Sequence, residues 1–234
     1  MKTLSHIQTL PYAFYGSINC LSFPKSGNTY LRIILANYIK LLQNEPPLKS
    51  FNELNALMPE YGRLSSFSND NLRIQNKRVI KSHHGIYSWA SEKNIVIFRD
   101  FIEVASSYSN YSKLRSNEKK VDVIISSMEK FLSALYLKKA CVIFYDSLIN
   151  KSFDVISKLL NEYLSAEVKD NLLVDAIEAS SKKTISKWKK VNGVKFINSY
   201  KGINLNQKQL DALMNINVNF IKKANESSLL IKNI

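Results

Sequence analysis

The chain has 234 residues, of which 45% are hydrophobic and 22% charged. No run of 18 apolar residues is present, which argues against a membrane span, and the first 16 residues lack the continuous apolar stretch of a secretory signal. Cys20 and Cys141 both lie in apolar runs and are expected to be buried free thiols, so the cytoplasm is the expected compartment. The formal net charge of +14 favours an anionic partner without identifying it.

Four short apolar runs predict strands, and helical patterns follow or separate them. The strands are expected at 18–23, 79–82, 94–99 and 140–145. The helices are expected at 29–42, 101–111, 121–138, 147–164, 167–179 and 206–224. The strands lack polar alternation, which is typical of parallel strands buried on both faces. We therefore predict one α/β domain over residues 1–234, with three layers and a central, mostly parallel sheet flanked by helices.

Two stretches do not fit this alternation. Residues 44–76 contain three prolines and show weak periodicity, so an irregular excursion with at most one short helix is predicted. Residues 111–120 are polar and charged, which indicates an exposed loop or lid.

The turn between the first strand and the first helix reads FPKSGNT, at positions 23–29. Gly27 permits an unusual backbone conformation and close approach by a ligand. Asn28 or Thr29 can cap the helix, and the free N–H groups of its first turn, together with the Lys25 ammonium, suit an anion. The lysine precedes the glycine, unlike the G-x-x-x-x-G-K-[ST] nucleotide loop. A plain strand-to-helix turn with a surface lysine is the alternative.

The sequence VIKSHHG, at positions 79–85, places two histidines where a strand is expected to end. Ligands of open α/β sheets bind at this end of the strands, and a histidine there can accept a proton. The alternative is a solvated loop histidine. Zinc is disfavoured because the remaining histidine, His6, is far away in sequence and no cysteine pair is present.

The sequence NIVIFRDFIEVASSYSNY, at positions 94–111, ends a predicted strand with Arg99 and starts a helix. Asp100 and Glu103 have capping-box spacing. Because the helix folds back beside the strand, Arg99 and Ser107 can reach a common point, where a guanidinium and a hydroxyl suit a phosphate monoester. In the alternative, Arg99 simply pairs with Asp100 or Glu103.

Residues 181–201 contain seven lysines and no acid, with Trp188, Phe196 and Tyr200 interleaved. Such a pattern can bind a nucleotide base and its phosphates, or single-stranded nucleic acid. For most of these lysines a solvated basic helix is the simpler interpretation.

The octapeptide FPKSGNTY, at positions 23–30, resembles the first signature of the sulfotransferases that use 3′-phosphoadenosine 5′-phosphosulfate (PAPS). The resemblance implies a P-loop NTPase-like sulfotransferase fold. It also implies that Lys25 contacts the bridging oxygen and the transferring sulfuryl group, and that Tyr30 lies beside adenine. The implied cradle of the 5′-phosphate consists of the amides of Ser26, Gly27 and Asn28 and the Thr29 hydroxyl.

A second signature of this family, a strand-ending arginine followed eight positions later by a serine, resembles Arg99 and Ser107. This resemblance implies that they bind the 3′-phosphate. Lys81-Ser82-His83 is similar to the element that supplies the family's general base, with Lys81 assisting, and Tyr145 is an implied neighbour of adenine. His84 stays open as an alternative base, although His83 is favoured.

The sequence SYKG, at positions 199–202, resembles the family's loop that closes over the 3′-phosphate. Tyr200 stands in the place of the family's arginine, whereas Lys201 and Gly202 match. The resemblance as a whole covers residues 18–35, 79–85, 94–111 and 140–162, which is under half of the chain.

The family resemblance implies an enzyme that moves a sulfuryl group in line from PAPS to a hydroxyl of a small-molecule or glycan acceptor. The products are a sulfate ester and 3′-phosphoadenosine 5′-phosphate (PAP), and neither a metal nor nucleic acid is expected to take part. A P-loop kinase or NTPase is one alternative, with Asp146 as the candidate Mg²⁺ ligand. A basic module that binds polyanions or nucleic acid is another, and a sulfotransferase-like protein that binds without turnover is a third. The acceptor and the oligomeric state stay open.

Overall fold

The computed structural model describes residues 8, 9, 11–14, 16–89, 91–111, 117–188 and 205–231. Its centre is a sheet of strands β1 to β6, which are in chain order Ser17–Ser22, Arg73–Ile74, Lys77–Ser82, Lys93–Phe98, Ala140–Phe144 and Leu229–Ile231. The spatial order is β2-β3-β1-β4-β5-β6, with β2 antiparallel to β3 and all other neighbours parallel. The predicted α/β class with a mostly parallel sheet is confirmed.

Helices cover both faces of this sheet. In chain order, α1 to α5 are Pro11–Phe14, Asn28–Leu42, Phe51–Leu57, Phe101–Tyr111 and Asn117–Ala134. Helices α6 to α10 are Tyr145–Asn150, Ser152–Lys158, Asp170–Ala179, Lys182–Ile185 and Gln207–Ala224. Short 3₁₀ turns occupy Leu64–Ser66 and Gly85–Ser88, and a π-helical turn at Leu159–Tyr163 follows α7.

The apolar sequence of the central strands explains the layering. Every residue of β1 is buried, and its side chains alternate between two apolar clusters. Ile18 and Cys20 pack on one face of the sheet with α2, α3, α7 and α8. Leu21 packs on the other face with α4, α5 and α10. A strand that must bury both faces requires helices on both sides, which produces three layers.

Several predicted elements differ from the observed ones. The segment 147–164 is not one helix, because α6 ends at Asn150 and α7 begins anew at Ser152. The excursion 44–76 contains the expected short helix, α3, but also the edge strand β2. The strands β2 and β6 were not predicted, since two and three residues are too few to show a periodicity.

Both cysteines are free and buried, as expected. They lie on β1 and β5, each opposite Ile95 of the intervening strand β4. Burial raises the pKa of the Cys20 thiol to about 12 and also raises that of Cys141. No helix within the described residues is long and apolar enough to cross a membrane.

Candidate active site

The parallel strands bring distant segments of the chain to one edge of the sheet. In the pairing register, Leu21 of β1 lies opposite Ser82 of β3, and Ser22 lies opposite Ile97 of β4. The chain therefore leaves β1, β3, β4 and β5 at neighbouring points. The residues that follow these strands directly are Phe23, His83, Arg99 and Tyr145. This carboxyl edge is where open α/β sheets bind ligands.

The loop after β1 has the backbone of an anion site. Lys25 and Gly27 adopt positive φ angles of 74° and 100°, and the Ser26 N–H donates to the Phe23 carbonyl over 3.2 Å. Helix α2 begins at Asn28, and the N–H groups of Tyr30 and Leu31 donate to the Gly27 carbonyl over 3.0 and 3.3 Å. The N–H groups of Asn28 and Thr29 precede these first bonds of the helix. These N–H groups and the helix dipole favour an anion at this point.

The prediction that Asn28 or Thr29 caps α2 is wrong. The N-cap is Gly27, with no side-chain hydrogen bond at the cap. The Asn28 amide instead donates to the Cys20 carbonyl on β1 over 2.8 Å. This bond turns the Asn28 side chain towards β1, and Gly27 has no side chain, so neither Asn28 nor Gly27 supplies a side-chain cap.

Gly27 has no room for a side chain. A Cβ atom at this position would lie 2.3 Å from Cδ2 of Tyr145, well inside van der Waals contact. The Arg99 guanidinium lies 4.5 Å from the centroid of the same ring, and its Nη1 donates to the Lys25 carbonyl over 3.4 Å. The Tyr145 ring thus packs between Gly27 in the loop after β1 and Arg99 at the end of β4.

Arg99 also pairs with a carboxylate, as the simpler interpretation of this residue proposed. Its Nε lies 2.8 Å from Oε2 of Glu103, and the Glu103 side chain is 51% exposed. The Arg99 side chain is only 11% exposed, so one partner of the pair is shielded and the other is screened by water. Charge-assisted bonds between arginine and phosphate are about twice as strong as neutral ones, so the pair with Glu103 does not preclude a phosphate at Arg99.

Asp100 serves the helix rather than the cleft. Its Oδ1 accepts from the N–H groups of Ile102 and Glu103, and its Oδ2 accepts from the Asn217 amide of α10. The predicted cap at Asp100 is confirmed, but Glu103 turns to Arg99 instead of completing a capping box. This division leaves Arg99 directed towards the cleft.

His83 is held in one tautomer. Its Nδ1 lies 2.8 Å from the Ser22 carbonyl, which can only accept, so Nδ1 carries the proton and Nε2 holds a lone pair. Burial, with the Lys81 charge, lowers the pKa of His83 to about 4, so the ring is neutral at pH 7. His84 is exposed and does not line the cleft.

Two lysines contribute positive charge. Burial lowers the pKa of both Lys25 and Lys81. The Lys81 ammonium lies 3.1 Å from Oε1 of Glu60, which holds it in place.

One cleft of about 490 Å³ collects these groups. The predicted site residues that line it are Lys25, Gly27, Asn28, Thr29, Tyr30, Lys81, His83, Arg99, Ser107 and Tyr145. Ser26, in the same loop, is buried and does not line the cleft. Lys201 and Gly202 lie outside the described residues.

Several lining residues were not assigned a role in the sequence analysis, although Pro24 lies in the FPKSGNT turn and Lys182 in the lysine-rich tract. They are Pro24, Ile33, Phe51, Ile149, Lys182 and Ile185. Ile33 follows Thr29 by one helical turn, so the helical period would have found it. Phe51 comes from a segment without a motif. Ile149 lies in the stretch 140–162 and Ile185 in the lysine-rich tract, but neither pattern directs these apolar side chains into the cleft.

The described part of the lysine-rich tract packs differently from the expected pattern. Trp188 meets Phe51 edge to face, with ring centroids 5.0 Å apart, and Lys182 alone of the described lysines in the tract lines the cleft. Phe196 and Tyr200 lie outside the described residues. Among all the residues that the structure describes, no group of three or more His, Cys, Asp or Glu residues could hold a metal ion.

Comparison with solved structures identifies the architecture. Mouse sulfotransferase SULT7A1 complexed with PAP matches with a TM-score of 0.59 and 16% identity, covering 96% of this chain and 91% of that one. Retinol dehydratase, in complex with androsterone and inactive cofactor PAP, matches with a TM-score of 0.56 and 11% identity over 99% and 88%. The fold is that of the sulfotransferases.

A second structure of retinol dehydratase, with retinol and PAP, matches with a TM-score of 0.53 and 11% identity over 96% of this chain and 87% of that one. No protein-family model matches the sequence, and no curated protein does. At these identities, the sulfotransferase fold is what the likeness establishes.

The contact between Gly27 and Tyr145 predicts a large effect of Gly27→Ala. Gly16 is the matched control, because it also has a positive φ angle, 62°, but a Cβ atom added there would have nothing within 4 Å. Gly16→Ala should lower the free energy of unfolding by about 1 kcal/mol through backbone strain alone. Gly27→Ala should lower it by about 1–3 kcal/mol more through overpacking. Equal losses in urea unfolding would show that Tyr145 moves aside freely.

The half-buried position of His83 beside the Lys81 charge predicts an unusual titration. Its Cε1–H proton resonance, assigned with His83→Gln, should not shift with pH until well below the ordinary histidine pKa of about 6.5. Because the unfolded chain takes up this proton at a higher pH than the folded one, the contribution of His83 to stability should be lost as pH falls from about 6.5 towards 4. A midpoint near 6.5 in the folded protein would contradict a half-buried ring that is neutral at pH 7.

Proposed function

We propose that this protein is a sulfotransferase that moves a sulfuryl group from PAPS to an acceptor hydroxyl, giving a sulfate ester and PAP. The observation that carries the proposal is the meeting of Lys25, His83 and Arg99 in one cleft. They follow three neighbouring parallel strands of a fold shared with PAP-complexed sulfotransferases. Sulfuryl transfer needs positioning and charge stabilisation more than covalent chemistry, and this site provides both.

Two anion sites in the cleft suit the two phosphate positions of the donor. The open N-terminus of α2, with Gly27 and Thr29, would hold the 5′-phosphate. Arg99 and Ser107 would hold the 3′-phosphate, the group that distinguishes PAPS from simpler adenylates. Tyr30 and Tyr145 line the same cleft and would contact the adenine.

The donor supplies the sulfuryl group, and the protein supplies a base and cations. His83 would accept the proton of the acceptor hydroxyl at Nε2, since its Nδ1–H is engaged with the Ser22 carbonyl. Lys25 would stabilise the negative charge that grows on the leaving phosphate oxygen, and Lys81 would assist at the sulfuryl oxygens. No step in this scheme requires a metal.

The acceptor proposed is a small molecule with a hydroxyl group. The structural neighbour retinol dehydratase holds androsterone in one structure and retinol in another. Ile33, Phe51 and Ile149 give this cleft apolar walls that suit such a molecule. The free, buried cysteines agree with the cytoplasm as the compartment.

Donor binding can be tested by thermal shift with PAP, AMP and ATP. At about 100 times its Kd, PAP should add about 2.7 kcal/mol of stability, which raises the Tm of a chain this size by about 5–10 °C. Arg99→Ala should weaken PAP by about 10-fold or more and AMP much less. Lys183→Ala, an exposed lysine outside the cleft, is the control.

Equal weakening of PAP and AMP in Arg99→Ala would contradict a role at the 3′-phosphate. A larger shift with ATP than with PAP, together with Mg²⁺-dependent transfer, would instead indicate a P-loop kinase or NTPase.

Catalysis can be tested by transfer from radiolabelled PAPS to a panel of alcohols and phenols. Lys25→Ala and His83→Ala should each lower the rate by about 10²–10⁴-fold, since each removes a group that acts on the reacting atoms. His83→Ala should keep its PAP thermal shift, because His83 contacts the acceptor side. His84→Ala is the matched control and should keep its activity; the reverse pattern would make His84 the base.

A further inference from the structure

Glu60 is a charged residue beside the cleft to which the mechanism above gives no role. It lies in the strap Pro59–Tyr61, which connects α3 with the later strands. The Lys81 N–H donates to the Pro59 carbonyl over 2.8 Å, and the Tyr61 N–H donates to the Lys81 carbonyl over 3.0 Å. The strap thus pairs with the end of β3 in parallel, beyond the point where β2 stops.

The side chains repeat this backbone pairing. Oε1 of Glu60 lies 3.1 Å from the Lys81 ammonium, and Oε2 lies 3.2 Å from Nε of Arg63. The side chains of Glu60 and Lys81 are only 22% and 17% exposed. Because both are shielded from water, their attraction is weakened by solvent far less than that of an open surface pair. Lys81 is therefore held at both its backbone and its ammonium.

The strap is fastened to the helix that carries the anion site. Arg32 of α2 is buried, and its Nη2 donates to the Met58 carbonyl over 3.0 Å and to Oδ1 of Asn55 over 3.3 Å. Arg32 lies one helical turn after Asn28, where α2 begins. The strap that holds Lys81 is thus anchored to α2, the helix that begins directly after Gly27.

The negative charge of Glu60 opposes the effect of two nearby cations on His83. Lys81 and Arg32 both lower the pKa of His83, and Glu60 raises it. The positive charge of Arg63 lowers the pKa of both Glu60 and Lys81. Among the described residues, Glu60 thus supplies the negative charge that opposes the effect of Lys81 and Arg32 on His83.

We propose that Glu60 is a positioning residue, which holds the Lys81 ammonium beside His83 so that Lys81 meets the transferring group. The inference rests on the proposed sulfuryl transfer. It predicts that removal of the Glu60 charge impairs the transfer step and leaves donor binding largely intact, because the anion site on α2 does not include Glu60.

The experiment compares Glu60→Gln with Glu92→Gln. Glu92 pairs with Lys77 at the other end of β3, outside the cleft, so it is a matched lysine–glutamate pair on the same strand. Glu60→Gln should lower kcat by about 10-fold while PAP affinity changes by less than about 3-fold, and Glu92→Gln should change neither. In a Lys81→Met background, Glu60→Gln should have less than about a 2-fold effect, because the group it positions is gone.

A second readout does not depend on turnover. The NMR titration of His83 should move to lower pH in Glu60→Gln than in the wild type, because the ring loses its nearby negative charge. If Glu60→Gln lowers the Tm too far for assay, Glu60→Asp replaces it. That variant keeps the charge but draws it back by one methylene, so it should retain the wild-type His83 titration and still lose kcat.

The outcomes separate the two proposals. A wild-type protein that neither binds PAP nor transfers a sulfuryl group would overturn the proposed function itself. An active wild type in which the Glu60 variants match Glu92→Gln in kcat would overturn the role of Glu60 alone. Equal losses from Glu60→Gln with and without Lys81 would also overturn it, since they would show that Glu60 does not act through Lys81.

Discussion

The site depends on the close approach of one aromatic ring to one glycine. The Tyr145 ring, at the end of β5, lies where a side chain of residue 27 would be. The Arg99 guanidinium lies over the same ring, and Arg99 also reaches the Lys25 carbonyl. Three segments that follow three different strands are thus joined through a single side chain. These contacts hold the loop between β1 and α2 in shape, so a ligand that binds there need not order it.

The electrostatics of the cleft serve two purposes at once. Lys25, Lys81 and Arg99 line it together, so a ligand with several negative charges would be attracted to it. The same environment keeps His83 neutral, because burial and a nearby cation both oppose a second positive charge. A general base must be unprotonated before it can act. Under the proposed function, the groups that would attract the donor would therefore also keep His83 ready to act as the base.

The sequence revealed those parts of the site that local patterns encode. Arg99 and Ser107 could be placed together because a strand and the helix after it form one continuous segment, and the strand pattern put His83 at the same edge. Phe51 and Ile185 could not be found, because their place in the cleft depends on how distant segments pack. The helix cap was predicted wrongly for a related reason: the Asn28 amide finds a buried carbonyl on β1, and no local pattern shows that preference.

The two buried cysteines allow the opening of the central sheet to be followed by thiol labelling. Cys20 and Cys141 lie on either side of Ile95, in the same row across β1, β4 and β5. The thiolate is the reactive form, and burial disfavours it, so neither sulfur can be alkylated while the strands stay packed. The rate of thiol labelling thus measures how often the sheet opens. Since the Cys20 carbonyl accepts a hydrogen bond from Asn28, slower labelling in the presence of a ligand would show that binding stabilises the strand to which α2 is tied.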